Sequence, residues 1–188
     1  RDAEPLIDEA AEIADGIGYQ SGYVCARATS VEIAFEDADV AAAIAVSAEA
    51  VAAARQADSA NDLVLVSTFL AAYRLIGGEL GTVREDLVAL FDMDERLGDV
   101  SSIRTHIELA AFYLALTGDL PNAALLSCYA RMNNDRSEAE AERFERVIRQ
   151  RTSDLLMSSP GERSHQEEKV ARWNVRMAVA TTIGLLRR

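Results

Sequence analysis

Residues 103–131 read IRTHIELAAFYLALTGDLPNAALLSCYAR. Two stretches rich in Ala and Leu flank Gly118-Asp119-Leu120-Pro121. Each is long enough for about four turns of helix. Gly118 suits the left-handed residue that ends a helix, Asp119 can cap the next one, and Pro121 sits where its missing N–H costs little. The segment therefore reads as two antiparallel helices joined by a short turn. Counting back in steps of 40, Asp119-Leu120-Pro121 meets Glu79-Leu80-Gly81 and Asp39-Val40-Ala41. Leu97-Gly98 likewise meets Ala57-Asp58 and Ile17-Gly18, and Tyr113 meets Tyr73 and Ile33. Small apolar residues keep the same phase: Val31, Ala71 and Ala111; Ala43, Val83 and Ala123; Ala50, Leu90 and Ala130.

A 40-residue unit of two helices is the signature of an α-solenoid, in which one hairpin buries its apolar face only when the next stacks on it. The expected architecture is all-α: a single domain over 1–188, with repeats at about 17–56, 57–96 and 97–136 and a C-terminal cap over 137–188, about nine helices in all. Helices are expected at 4–16, 21–37, 40–57, 61–77, 80–97, 101–117 and 120–133. Asp39, Ser59, Asp99 and Asp119 are the candidate caps. Ser137-Glu138-Ala139-Glu140 has the form of a capping box and would open a charged helix with Phe144, Val147, Ile148, Leu155 and Leu156 on one stripe. Ser158-Ser159-Pro160-Gly161 reads as a loop. A last helix is expected over about 164–186, with Val170, Trp173, Met177 and Ala180 on one face and Trp173 docking the cap onto the third hairpin.

Composition agrees with helices. Nearly half the residues are apolar, aromatics make up 6%, and only three prolines interrupt the chain. No sustained strand alternation is seen. The formal charge is −12, spread unevenly: residues 1–130 hold 7 Arg and 22 acids (−15), residues 131–188 hold 12 basic and 9 acidic groups (+3). So acidic a body repels phosphate backbones, which argues against direct nucleic-acid binding. Cys25 and Cys128 lack ligand-like or CxxC spacing and read as small buried residues of a reducing cytoplasm. No apolar run approaches the length of a membrane span, and no signal peptide precedes the first helix. The opening Arg1 suggests a piece of a longer chain, and 18 arginines against the single Lys169 suggest a GC-rich bacterial genome.

IRTHIELAAFYLALTGDLPNAALLSCYAR resembles a tetratricopeptide unit, with Ala111 and Ala123 where that family packs its paired helices. LFDMDERLGDVSSIRTHIELAAFYLALTGDLPNAA (90–124), with the terminal RWNVRMAVATTIGLL, resembles the C-terminal region of large bacterial ATP-binding transcriptional regulators, LuxR-type or fused to cyclase modules. The unit of 40 exceeds the usual 34 of that family, and its early Trp and closing Pro are missing. The resemblance implies a cytoplasmic, non-catalytic domain for protein interaction or effector sensing, without cofactor. Carried over residue by residue, it puts Cys25, Ala28 and Glu32, then Leu65, Thr68 and Ala72, then Thr105, Glu108 and Phe112 on a concave groove. Glu32, Thr68, Ala72, Thr105, Glu108 and Phe112 are the candidate partner-binding residues, for a protein, a peptide or a small effector.

Other chemistry reads weakly. Gly77-Gly78-Glu79-Leu80-Gly81 lacks the Lys and Ser of a phosphate loop and reads as a turn. Glu142 with Arg146 and Glu145 with Arg149 read as exposed ion pairs on a helix. His106 reads as a partly buried packing residue, and His165 as a solvent-facing residue at a helix start. A self-associating module, pairing as a homodimer through an apolar groove or an uncovered end, is the alternative. A small all-α enzyme built on His106 and a nearby acid is the remote one.

Overall fold

A computed structural model describes residues 3–36, 39–98, 101–133, 141–157 and 163–188, without the side chains of 101 and 163–165. Among the described residues the chain is helical throughout and contains no strand. The described residues form ten helices: α1 (Glu4–Gly16), α2 (Gln20–Glu36), α3 (Val40–Gln56), α4 (Ala60–Gly77), α5 (Val83–Leu97), α6 (Ser101–Leu116), α7 (Leu120–Met132), α8 (Arg143–Met157), α9 (Arg163–Val170) and α10 (Val175–Leu186).

The first seven follow the expected boundaries to within three residues, because the turn chemistry is local. Asp39 accepts a hydrogen bond from the Ala42 N–H at 2.8 Å, and Asp119 accepts one from Asn122 at 3.4 Å. Gly118 adopts φ 89° while Asp119 N–H reaches back to the Leu114 carbonyl at 2.8 Å, closing a Schellman turn. Ser59 precedes α4 but its hydroxyl makes no capping bond, contrary to expectation. Asp99, the proposed capping box at 137–140 and the loop at 158–161 lie outside the described residues. At the N-terminus of α8, the carboxylate of Glu145 accepts the Glu142 N–H at 3.0 Å.

The expected single helix over 164–186 is two. α9 ends at Val170, and the side chain of Asn174 caps α10 by accepting from the Met177 N–H at 2.9 Å. An Asn that can bond its own downstream backbone competes with helix continuation. The buried face of α10 is accordingly Ala178, Thr182 and Leu186, while Met177 and Ala180 are exposed. Trp173, between the two helices, lies 5.9 Å from the Tyr129 ring of α7, as expected of a residue docking the cap.

The chain divides into two compact units, Arg1–Gly78 and Glu79–Arg188. In the first, α1 packs on α2, α2 on α3, α3 on α4, and α2 also reaches α4. Val24, Val31, Ala43, Ala50 and Ala54 are fully buried, and the Tyr73 ring meets that of Phe35 at 4.8 Å in a tilted arrangement. α4 is long and apolar enough in composition to cross a membrane, unlike the expectation from sequence, and more than half of it is buried inside the molecule. In the second unit α6 is central, packing on α5, α7, α8 and α10, while α9 covers α7. It is sealed nearly all round, with Ile107, Leu109, Ala110, Ala111 and Phe112 in the interior.

Candidate functional site

α2 lies beside α4 in the first unit and α6 beside α8 in the second, and their polar contacts keep the period of the sequence. In the first unit the Ser21 hydroxyl donates to Asp62 at 2.6 Å, and the Tyr73 hydroxyl donates to Glu32 at 2.9 Å, both 41 positions apart. The same offset at two points along α2 means that α2 and α4 run in the same direction. In the second unit Thr105 donates to Glu145 at 2.7 Å, 40 positions on, and Arg149 Nε donates to Glu108 at 3.0 Å, 41 positions on. Thus α6 and α8 are also parallel neighbours. Each unit stacks one hairpin's first helix on the first helix of the next block.

The α6–α8 seam holds four charges, of which Arg104, Glu108 and Glu145 are buried and Arg149 is half-buried. Arg104 lies 3.9 Å from both Glu108 and Glu145, and Arg149 lies 3.8 Å from Glu145. Two guanidiniums and two carboxylates cancel, which is the condition for tolerating burial. Burial pushes the Glu108 carboxyl above its ordinary range, against the opposing pull of Arg149. Glu145, expected on an exposed ion-paired face, is 3% exposed.

Next to this seam, His106 is fully buried and its Nδ1 shares a 2.6 Å hydrogen bond with Oδ2 of Asp94 on α5. The ring stands edge-on to Phe91 at 5.9 Å. The other oxygen of Asp94 is buried with no hydrogen-bond partner among the described residues. This pair is closed off from solvent, more completely than the partly buried histidine expected. His165 falls in the first turn of α9. Among the described residues no group of three or more His, Cys, Asp or Glu is arranged to hold a metal.

The expected groove residues divide by depth. Cys25 is exposed, not buried as a packing residue, and Leu65 is exposed beside it in phase, whereas Cys128 is buried. Glu32 is half-buried on Tyr73. Thr68 is buried with its hydroxyl turned back to the Val64 carbonyl at 2.8 Å. Thr105 and Glu108 are spent on the α6–α8 seam. Ala72 and Phe112 are interior residues, as is Ala28, so none of the three lines an open surface. The physical reason is that the first helices pack on one another as well as on their hairpin partners, so their open face is narrower than a single exposed stripe. The pairing of Asp94 with His106 was missed, and so was the seam of Arg104, Glu108, Glu145 and Arg149. The repeat held a signal: Asp94 shares a phase with buried Ala54 and Ala14, and Arg104 with buried Val64 and Val24.

The chain matches no family model, no curated protein and no solved structure.

Proposed function

We propose that this chain is a non-catalytic helical-repeat domain, tetratricopeptide-like and superhelical, that binds a protein, a peptide or a small effector. It would serve as the interaction or sensing part of a bacterial, cytoplasmic signalling ATPase or transcription regulator. The observation that carries the reading is the parallel stacking of first helices at an offset of 40–41 residues inside each unit. That arrangement belongs to hairpin arrays, which build extended binding surfaces. The sealed position of His106 supports binding over catalysis, because a general base must reach its substrate. The remaining open positions of the first helices, Cys25 and Leu65, are the candidate contact residues on this face.

Two experiments test the reading. Small-angle X-ray scattering of the chain should give a radius of gyration clearly above the ~16 Å of a compact globule of this length. A thermal-shift screen of metabolites and helical peptides, followed by titration calorimetry, should give a ligand whose affinity falls at least about tenfold in Leu65→Glu. Turnover of a ligand that disappears in His106→Asn, or a compact scattering profile, would overturn it.

A further inference from the structure

α10 leaves the array. Inside each unit a first helix packs on the first helix one block before it, α4 on α2 and α8 on α6. α8 starts at Arg143, so a helix in phase with it would start 40 positions on, at Ile183, whereas α10 starts at Val175. Among the described residues α10 packs not on α8 but back on α5, α6 and α7. α6 thus has α5, α7, α8 and α10 around it, where α2 has α1, α3 and α4. The neighbour without a counterpart is α10.

Burial follows the extra neighbour. Cys25 and Thr29 of α2 are exposed, and their counterparts two blocks on, Thr105 and Leu109 of α6, are buried. Ala26, Arg27 and Ser30 are half-buried, whereas His106, Ile107 and Ala110 are fully buried. Thr105 has the Glu145 carboxylate of α8 on it, but α4 lies on α2 in the same way and leaves Cys25 open. The additional helix accounts for the additional burial, so α10 lies over a side of α6 that α2 keeps open.

α10 is held there lightly. Its fully buried face is Ala178, Thr182 and Leu186, with one large side chain among the three. The Thr182 hydroxyl donates to the Ala178 carbonyl of its own helix at 2.8 Å. Among the described residues no side chain of α10 makes a hydrogen bond or ion pair with another helix. α8, in contrast, is tied to α6 through Thr105 with Glu145 and Arg149 with Glu108. Val175, Val179, Thr181, Thr182, Ile183 and Gly184 are poor helix formers, and they make up half of the 12 residues of α10. A helix so short and so composed does not persist off its seat. We propose that α10 is a resident plug: its seat on α5, α6 and α7 is the binding site for an amphipathic helix of a partner protein, which displaces it. That helix presents small and aliphatic residues at i, i+4 and i+8, as α10 presents Ala178, Thr182 and Leu186. The proposal rests on the interaction-domain reading and names its partner, with the contact in the second unit and not at Cys25 and Leu65.

The probe is a fluorescent peptide of about 20 residues with the buried face of α10 in register and Ala and Gln elsewhere, beside a control with Glu at the three buried positions. Anisotropy with the full chain should show the probe binding at least about tenfold tighter than the control. Asn174 is exposed, and Asn174→Ala removes only the cap of α10. It should tighten the probe about fivefold by leaving the seat open more of the time, while Leu65→Glu changes nothing. Hydrogen exchange of the chain without peptide should show α10 amides exchanging at least about tenfold faster than those of α6. Equal affinity for both peptides, no binding up to about 1 mM, no tightening in Asn174→Ala, or α10 amides as protected as those of α6 would overturn the proposal. A concentration-dependent dimer weakened by Thr182→Glu would overturn it in favour of α10 exchanged between two copies. A ligand lost in Leu65→Glu, with no binding of the probe, would sink the α10 seat and leave the interaction-domain reading standing.

Discussion

Asp58 is the one described non-glycine residue with positive φ, at 52°, and its equivalents one block either way are Gly18 (φ 71°) and Gly98 (φ 66°). The backbone thus repeats its left-handed turn even where the side chain resists it. An L-residue pays for this conformation through its Cβ, and Asp tolerates it better than most. Asp58→Gly should raise the stability of the chain by about 0.5–1 kcal/mol, and Asp58→Ala should lower it by about 1 kcal/mol, read as shifts of the urea midpoint. Glu108 makes a second claim at this scale. Its carboxyl titrates higher in the folded chain than in the unfolded one, because burial disfavours its charge. The stability it contributes is therefore fully present below the unfolded value and lost as pH rises through the folded one. Urea unfolding from pH 7 down to about 4.5 should show the wild type gaining more stability than Glu108→Gln. Equal slopes for the two proteins would remove this carboxyl from the account.

Among the elements, α8 reveals most about what its residues alone could tell. Phe144 and Ile148 were legible as a core-facing stripe, and both are buried. Glu145 and Thr152 on the same helix are also buried, and no periodicity of apolar residues could have said so. Ion pairs at i,i+4 look identical whether a neighbouring helix covers them or not, and only the partners on α6 decide it. Removing one member leaves the others buried without balance. Glu145→Ala should cost about 3–5 kcal/mol in chemical denaturation. Replacing all four of Arg104, Glu108, Glu145 and Arg149 by Leu or Met should be neutral or stabilising by about 1–4 kcal/mol. A quadruple variant less stable than Glu145→Ala would show that these charges do more than fix how α8 seats. The break between α9 and α10 was equally hidden, since Asn174 interrupts an otherwise regular helical pattern with a single side-chain bond.

At the scale of the whole chain, the period of 40 made helix order and most boundaries legible, because glycines and capping aspartates mark the turns locally. The candidate surface was much less legible. Which side of a first helix stays open depends on the helices that close around it, so Phe112 and Ala72 could be placed on a helix but not at a depth. The acidic excess, in contrast, is a property of the sum. Repulsion among so many carboxylates opposes compaction and is screened by salt. Raising NaCl from about 20 to about 300 mM should lift the melting temperature by about 2–4 °C. A melting temperature that falls or stays flat would mean that ion pairs outweigh the repulsion.

The paired offsets of 40 and 41 also govern how such a chain can change in length. One extra residue inside α3 would swing every later side chain of that helix by about 100°, turning Ala50 and Ala54 away from their neighbours. A whole additional block would do nothing of the kind, for it would leave the helical phase of every later residue unchanged. Duplication and excision of complete hairpins are the edits this architecture absorbs, and single-residue slips within a helix are the ones it rejects.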